Sequence, residues 1–532
     1  MTPDLRSLLA KASWTFAFVA ACAFVVTTAQ AAGNATDGIA WKHASSKADV
    51  DAAFAQARAE AKPVFVYWGA KWCPPCNQVQ ATLFNRADFI ERSRGFVPVY
   101  VDGDSPGAQK LGARFHVSGY PTMLLFDAQG TELTRLPGEV DPAAYTEVLT
   151  LGMNARRPVK ELLAQVRAGG AGLTRADWRL LAFYAWHSDE QQLVPKAGVP
   201  ALLKQLAAAC PPEPADVATR LRLKALVAAA DATPARPDPA AEAGVLALLK
   251  DRAAARTQMD VIANNPNEIA RAVSAQGTPA RRHVVQALAA TLQGFEADAS
   301  LSRADRLSAL GARIELAGIE APKNSAPKNA VTRLPAALLA DLRAQTARID
   351  RDTTDGYERQ AVIPAAAFLL AASGLMAESD AMLKAGLAKS HSPYYLMSAL
   401  ASNAKRRGDK AEALRWSEAA FDKSEGPATR LQWGAGYLST LVELAPQDEA
   451  RIERVAQQLF TEARAAPDAF YERSGRSLKR VGQKLHAWNK GGAHAAALQR
   501  LQTRLDGVCR ALEPGDLHRT ACETLLKTPA RV

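Results

Sequence analysis

Val64-Phe65-Val66-Tyr67-Trp68-Gly69-Ala70-Lys71-Trp72-Cys73-Pro74-Pro75-Cys76 decides how this chain is read. Five consecutive apolar residues, β-branched and aromatic, predict a central strand buried on both faces. The run ends at Gly69, and two cysteines spaced i, i+3 open the next segment, which carries Val79, Leu83 and Phe84 and then Phe89 and Ile90 at helical spacing. Upstream, residues 46–61 place Val50, Ala53, Phe54 and Ala57 on one helical face, and Lys62-Pro63 stops that helix. Downstream, a second β run at 96–101 ends in Asp102-Gly103-Asp104. A short helix near 108–115 and Gly119-Tyr120-Pro121-Thr122 precede a third run at 123–126. Asp127-Ala128-Gln129-Gly130 reads as a turn, 131–136 as a fourth strand and 142–153 as a closing helix. Strands separated by helices and finished by a hairpin predict an α/β layer, a mixed sheet flanked by helices, over residues 39–153.

The cysteine pair carries the chemistry. Thiol–disulfide exchange needs a thiolate, a second thiol within reach and access for a partner's sulfur. Cys73, at the start of a helix, feels the positive end of the helix dipole, which favours its thiolate. It is expected to be the exposed, attacking residue, with Cys76 one turn deeper to resolve the mixed disulfide. Pro74 costs nothing at the first helical position. Pro75 removes a second amide that would otherwise stabilise the Cys73 thiolate, and no histidine lies between the cysteines, which tilts the site toward a reductant or an exchanger. A purely structural bridge is the alternative; a zinc site lacks a second C-x-x-C or a His cluster. No metal and no cofactor are expected.

Trp72-Cys73-Pro74-Pro75-Cys76 after a buried strand, Tyr120-Pro121-Thr122 before another and the hairpin at Gly130 resemble the thioredoxin superfamily, and in particular its exported members. The resemblance covers about residues 39–153. It implies that Trp72 packs beside the cysteines, that Pro121 is cis and that the Tyr120 backbone lies against the pair. Two residues depart from the family pattern. Tyr67 stands where the family often has a buried aspartate that helps deprotonate the resolving thiol, and the companion lysine falls near Pro98. Proton transfer at Cys76 is then left to water or to a group such as Glu60 or Asp102.

Residues 1–31 read as a secretory signal: Arg6 and Lys11, an apolar run from Trp14 to Val26, then Ala29-Gln30-Ala31 as the cleavage site. The run has 13 residues, where a membrane span needs about 20. An uncleaved anchor remains the alternative. A lipoprotein signal at Val19-Ala20-Ala21-Cys22 is disfavoured because apolar residues continue past Cys22. Export, most simply to a bacterial periplasm, makes disulfides admissible. The net charge of +11 is spread along the chain without a dense basic block. This argues against nucleic-acid binding and leaves at most a peripheral membrane-surface effect.

From Asn154 onward the composition turns to Ala, Leu, Arg and Lys without β runs, which predicts one α-helical region at 155–320 and another at 330–532. A Pro-rich stretch at 321–328 marks the linker between them. Aligning Gly374 with Gly408, 34 residues apart, superposes Ala377 on Ala411, Glu378 on Glu412, Ala385 on Ala419 and Pro393 on Pro427. That period resembles tetratricopeptide repeats; an irregular Ala-rich array is the alternative. Cys509 and Cys522 flank a turn at 513–516 and are candidates for a structural disulfide, while Cys210 reads as a buried small apolar residue or a reactive thiol.

The expected activity is that of an exported protein thiol–disulfide oxidoreductase acting through Cys73 and Cys76. Trp72, Pro74, Pro75, Tyr120 and Pro121 would support the site, and the helical region would bind client proteins or a membrane-embedded redox donor. The other expectation is a helical-repeat binding or assembly protein whose thioredoxin-like part is a weakly active or inactive adaptor.

Overall fold

The alternation of inward and outward side chains along Val64–Gly69 sorts the interior into two layers. In the computed structural model this strand, β2, runs at the centre of a five-stranded sheet. The others are β1 (Lys42–His43), β3 (Val97–Asp102), β4 (Thr122–Phe126) and β5 (Glu132–Leu136), in the order β1-β3-β2-β4-β5. The first three are parallel, and β4 and β5 are antiparallel to their neighbours. The structure describes residues 38–136, 142–155, 157–190, 192–232, 238–320, 334–516 and 518–527. The signal reading at 1–31 and the linker reading at 321–328 therefore lie outside the described residues. β1 is a two-residue edge strand in a stretch whose sequence reads only as polar; it forms because Ile39 and Trp41 pack onto the core beside it.

Val64, Val66, Trp68, Val99 and Leu124 face one side of the sheet. There they meet Val50, Phe54 and Ala57 of α1 (Lys47–Glu60). Ser46 caps α1 by a reciprocal bond with Asp49. Phe65, Tyr67, Met123 and Leu125 face the other side, under α2 (Pro74–Val79), one π-helical turn (Gln80–Phe84) and α3 (Ala87–Ser93). On the first side α4 (Ala108–Phe115) contributes Leu111 and Phe115, and on the second α5 (Pro142–Met153) contributes Tyr145 and Leu149.

The second layer does not end at α5. The same apolar cluster continues through Leu162, Trp178, Leu203 and Leu221, so the sheet and the first helices after it share one core. The backbone N–H of Ala185 donates to the Arg135 carbonyl (3.0 Å), and the buried Arg135 guanidinium donates to the carbonyls of Phe115 and His116 (2.7 Å each). The described residues from Ile39 onward pack as one body, and beyond α5 their regular elements are all helices. Gly374 and Gly408 both adopt positive φ (85° and 80°), each just before a helix, Met376–Gly386 and Lys410–Lys423. No helix among the described residues is long and apolar enough to cross a membrane.

Cys509 and Cys522 are disulfide-bonded with Cα atoms 5.6 Å apart, joining the helix Ala495–Arg510 to Arg519–Thr524. Closing a loop of this length is worth about 3 kcal/mol. Replacing both cysteines by serine is expected to lower amide protection in these two helices by about that amount, measured by hydrogen exchange with and without reductant. Equal protection in both forms would show the bond to be energetically idle.

Candidate active site

Cys73 is the N-cap of α2: its Sγ accepts from the Cys76 backbone N–H (3.3 Å), and the two sulfurs are bonded across a Cα–Cα distance of 5.2 Å. Pro74 and Pro75 fill the first two helical positions and offer no N–H, so one amide alone reaches the Cys73 sulfur from this turn. The Asn77 side-chain amide donates to the carbonyls of Lys71 and Cys73 (2.8 Å each) and holds the loop closed behind the pair. Across from it the Tyr120–Pro121 peptide is cis, and the Tyr120 carbonyl oxygen lies 3.6 Å from Cys73 Sγ.

Cys73 is not the exposed sulfur that helix-start geometry alone predicts. It is 3% exposed and Cys76 is 4% exposed. The cause lies in the helical region, which closes over the motif. The helix Gly356–Ala372 packs along α2, and its Gln360 amide donates to the Trp72 carbonyl (3.0 Å). His391 Nε2 lies 3.0 Å from the Lys71 carbonyl. The Trp72 ring stacks on Tyr395 (5.9 Å) and meets Trp433 edge-on (5.0 Å).

Asp104, just past the end of β3, ties this cover down. One carboxylate oxygen accepts from Trp72 Nε1 (3.0 Å); the other accepts from Thr429 Oγ1 (2.5 Å) and is ion-paired with Arg473. The Asp104 and Arg473 side chains are both 9% exposed. The Arg473 guanidinium lies over the rings of Trp72 and Tyr120, 5.2 Å from each. Gln109 extends the contact. Its amide donates to Tyr120 Oη (3.0 Å), its carbonyl oxygen accepts from the Arg473 N–H (2.9 Å), and its own backbone N–H donates to Asp468 (2.8 Å). Gly426 is required here: its φ is +83°, and a Cβ on it would sit 2.6 Å from that of Asp104. Asp104, Gln109, Thr429 and Arg473 are not marked by sequence spacing, because the helical-region partners of Asp104 stand 325 and 369 positions away.

Beneath the cysteines, Tyr67 stacks on Tyr100 (5.3 Å), packs against Phe84 (4.7 Å) and places its hydroxyl 3.5 Å from the Cys76 carbonyl. Burial, and then the nearby Asp102 charge, push the Tyr67 phenol well above its usual range. Asp102 shares the Tyr67 side of the sheet by strand alternation, and burial raises its carboxyl. Glu60, the other group that the sequence offers for proton transfer, does not sit beneath Cys76. It lies at the exposed end of α1, on the opposite side of the sheet, where it pairs with Lys62 (2.8 Å).

Residues 50–152 match the family model described as a thioredoxin-like domain. This segment is a thioredoxin-like domain. Over 112 residues the chain is 34% identical to the thiol:disulfide interchange protein DsbD of Klebsiella pneumoniae subsp. pneumoniae, covering 20% of this chain and 18% of that protein. Over 117 residues it is 30% identical to the thiol:disulfide interchange protein DsbD 1 of Pseudomonas aeruginosa, covering 20% and 19%. The chain thus spans less than a fifth of the length of these relatives. A solved structure titled DsbH Oxidoreductase is 21% identical, with a TM-score of 0.20, covering 23% of this chain and 88% of that one.

Cys210 is free and buried, and burial raises its thiol above the ordinary range. In the native chain without reductant, its peptide is expected to take up maleimide at least about a hundredfold more slowly than in urea. Fast native labelling, read by mass spectrometry, would make it a surface thiol instead.

Proposed function

We propose that the chain is a thiol–disulfide oxidoreductase acting on proteins, with Cys73 as the attacking sulfur and Cys76 as the resolving one. The observation that carries the reading is the bonded Cys73–Cys76 pair at the N-terminus of α2, facing a cis Tyr120–Pro121 peptide within a thioredoxin-like domain. In the reductive direction the Cys73 thiolate attacks a client disulfide. A Cys73–client S–S bond forms and the second client sulfur leaves as a thiolate and takes a proton. The Cys76 thiolate then attacks Cys73, releasing the first client sulfur. Two electrons pass to the client and the Cys73–Cys76 disulfide remains, to be reduced by an external dithiol.

Export to a periplasm through residues 1–31 fits this reading, as does a membrane-embedded electron donor. So does a role for the helical region, with repeats of the tetratricopeptide kind around Gly374 and Gly408, in holding clients. The single amide at Cys73 Sγ favours a reductant or exchanger over a strong oxidant. A measured potential near that of strong dithiol oxidants, about −120 mV, would overturn this direction. Insulin reduction by the full chain with dithiothreitol tests the reading as a whole: turnover by the wild type and none by Cys73→Ser is the expected result. Turnover absent from both would favour the second reading, an assembly protein with an inactive thioredoxin-like adaptor, for which the burial of both sulfurs speaks.

A further inference from the structure

The helical cover leaves a cavity beside the cysteine motif. Its volume is about 960 Å³, and Trp72, Pro74 and Pro75 form one end. The walls come from five helices, Gly356–Ala372, Met376–Gly386, Pro393–Arg407, Lys410–Lys423 and Pro427–Leu444, and Arg480 also lines the space. Two features of its lining are unusual for a space of this size. Among the described residues it has no carboxylate at all, while Lys405, Arg406 and Arg480 supply three cations. It also carries Phe368, which at 66% exposure is the most open large apolar side chain described.

The cations differ in how far they are neutralised. Lys405 pairs with Glu443 (2.6 Å). Among the described residues Arg406 has no carboxylate at ion-pair distance: its guanidinium donates to Asn403 Oδ1 (2.7 Å), and Asp380, whose charge also acts on it, is ion-paired with Arg407 (2.7 Å). Arg480 is exposed and forms no ion pair among the described residues. Arg480 thus faces the space without a paired carboxylate and Arg406 with only a share of Asp380, in a lining that also holds Tyr395, Trp433 and Tyr437. A volume at the top of the range for small-molecule sites, on the inner face of packed helices, suits a length of polypeptide better than a small thiol.

We propose that this cavity binds an extended acidic segment of a client protein, with its carboxylates on Arg406 and Arg480 and an apolar side chain against Phe368. The proposal rests on the exchange reading above and names the client's chemistry. A segment held there reaches the rim at Trp72 and Pro74, directly beside the covered sulfurs.

The test uses the full chain and two short, dye-labelled, cysteine-free peptides, one alternating Asp or Glu with Phe or Leu, the other carrying Lys and Arg in place of the acids. Fluorescence anisotropy is expected to show binding of the acidic peptide only, weakening as salt is raised. Arg480→Glu is expected to weaken it at least about tenfold, or 1.4 kcal/mol. Gly436→Phe should weaken it as well: Gly436 lines the cavity, and a Cβ there meets nothing within 4 Å, so a larger side chain starts out into open space; an unchanged melting temperature checks that the fold is kept. Equal binding of both peptides, or wild-type affinity in both variants, would overturn the proposal. No acidic-peptide binding by a chain that still reduces insulin would sink it and leave the exchange reading standing. Binding by a wild type that never reduces insulin would support the groove and sink the exchange reading.

Discussion

A Cys76→Ala variant of the full chain accumulates mixed disulfides through Cys73, while Cys73→Ser accumulates none and loses turnover entirely. The expectation follows from the geometry of α2. The two sulfurs lie within one bond of each other, so in the wild type Cys76 resolves any adduct in an intramolecular step. Removing it leaves only slow attack by outside thiols, and the adduct persists. Non-reducing electrophoresis followed by dithiothreitol release and mass mapping reads the outcome directly. Adducts that map to Cys210 or to the Cys509–Cys522 pair, with none on Cys73, would remove the chemical basis of the proposed function.

Asp104→Ala is expected to have the largest effect on the architecture of the site. The carboxylate is buried and joins Trp72 to Thr429 and Arg473, so its loss leaves a buried guanidinium without its counter-ion. Breaking a pair of this kind costs about 3–5 kcal/mol. The cost falls on the contact between the motif and the helical cover, because those are the surfaces Asp104 joins. Cys73 in the reduced variant should therefore react with iodoacetamide at least about tenfold faster than in the reduced wild type, with a lowered melting temperature. Asp104→Asn keeps acceptor and donor atoms at the position and loses the charge, so it should fall between the two. Unchanged labelling rates in both variants would mean that the cover opens without breaking this contact, and that Asp104 serves stability alone.

The thioredoxin-like layer was legible in the chain because its signals are local. A buried strand declares itself by a run such as Val64–Trp68, and the helix end at Cys73 by two prolines that cannot donate. Helix 142–153 carries its apolar spacing within a few turns. The edge strand Lys42–His43 was not legible, since two polar residues acquire strand form only by pairing with Val99 and Tyr100. The residues around the cysteines divide in the same way. Trp72, Pro121 and Tyr120 stand in recognisable motifs, whereas Asp104 and Gln109 look like ordinary loop and helix residues until Thr429, Asp468 and Arg473 are beside them.

What the amino-acid order by itself determined is the reactive element: two cysteines one turn apart, a helix start that supplies a single amide, and the sheet that holds them. Whether those sulfurs meet solvent was decided only in three dimensions. Accessibility is a property of what packs against an atom, and here the covering groups come from residues 360–473, hundreds of positions downstream. No spacing rule spans that separation. Each such contact depends on the summed apolar packing of many helices, which brings Gln360, Trp433 and Arg473 onto one short loop and turns an open dithiol into an enclosed one.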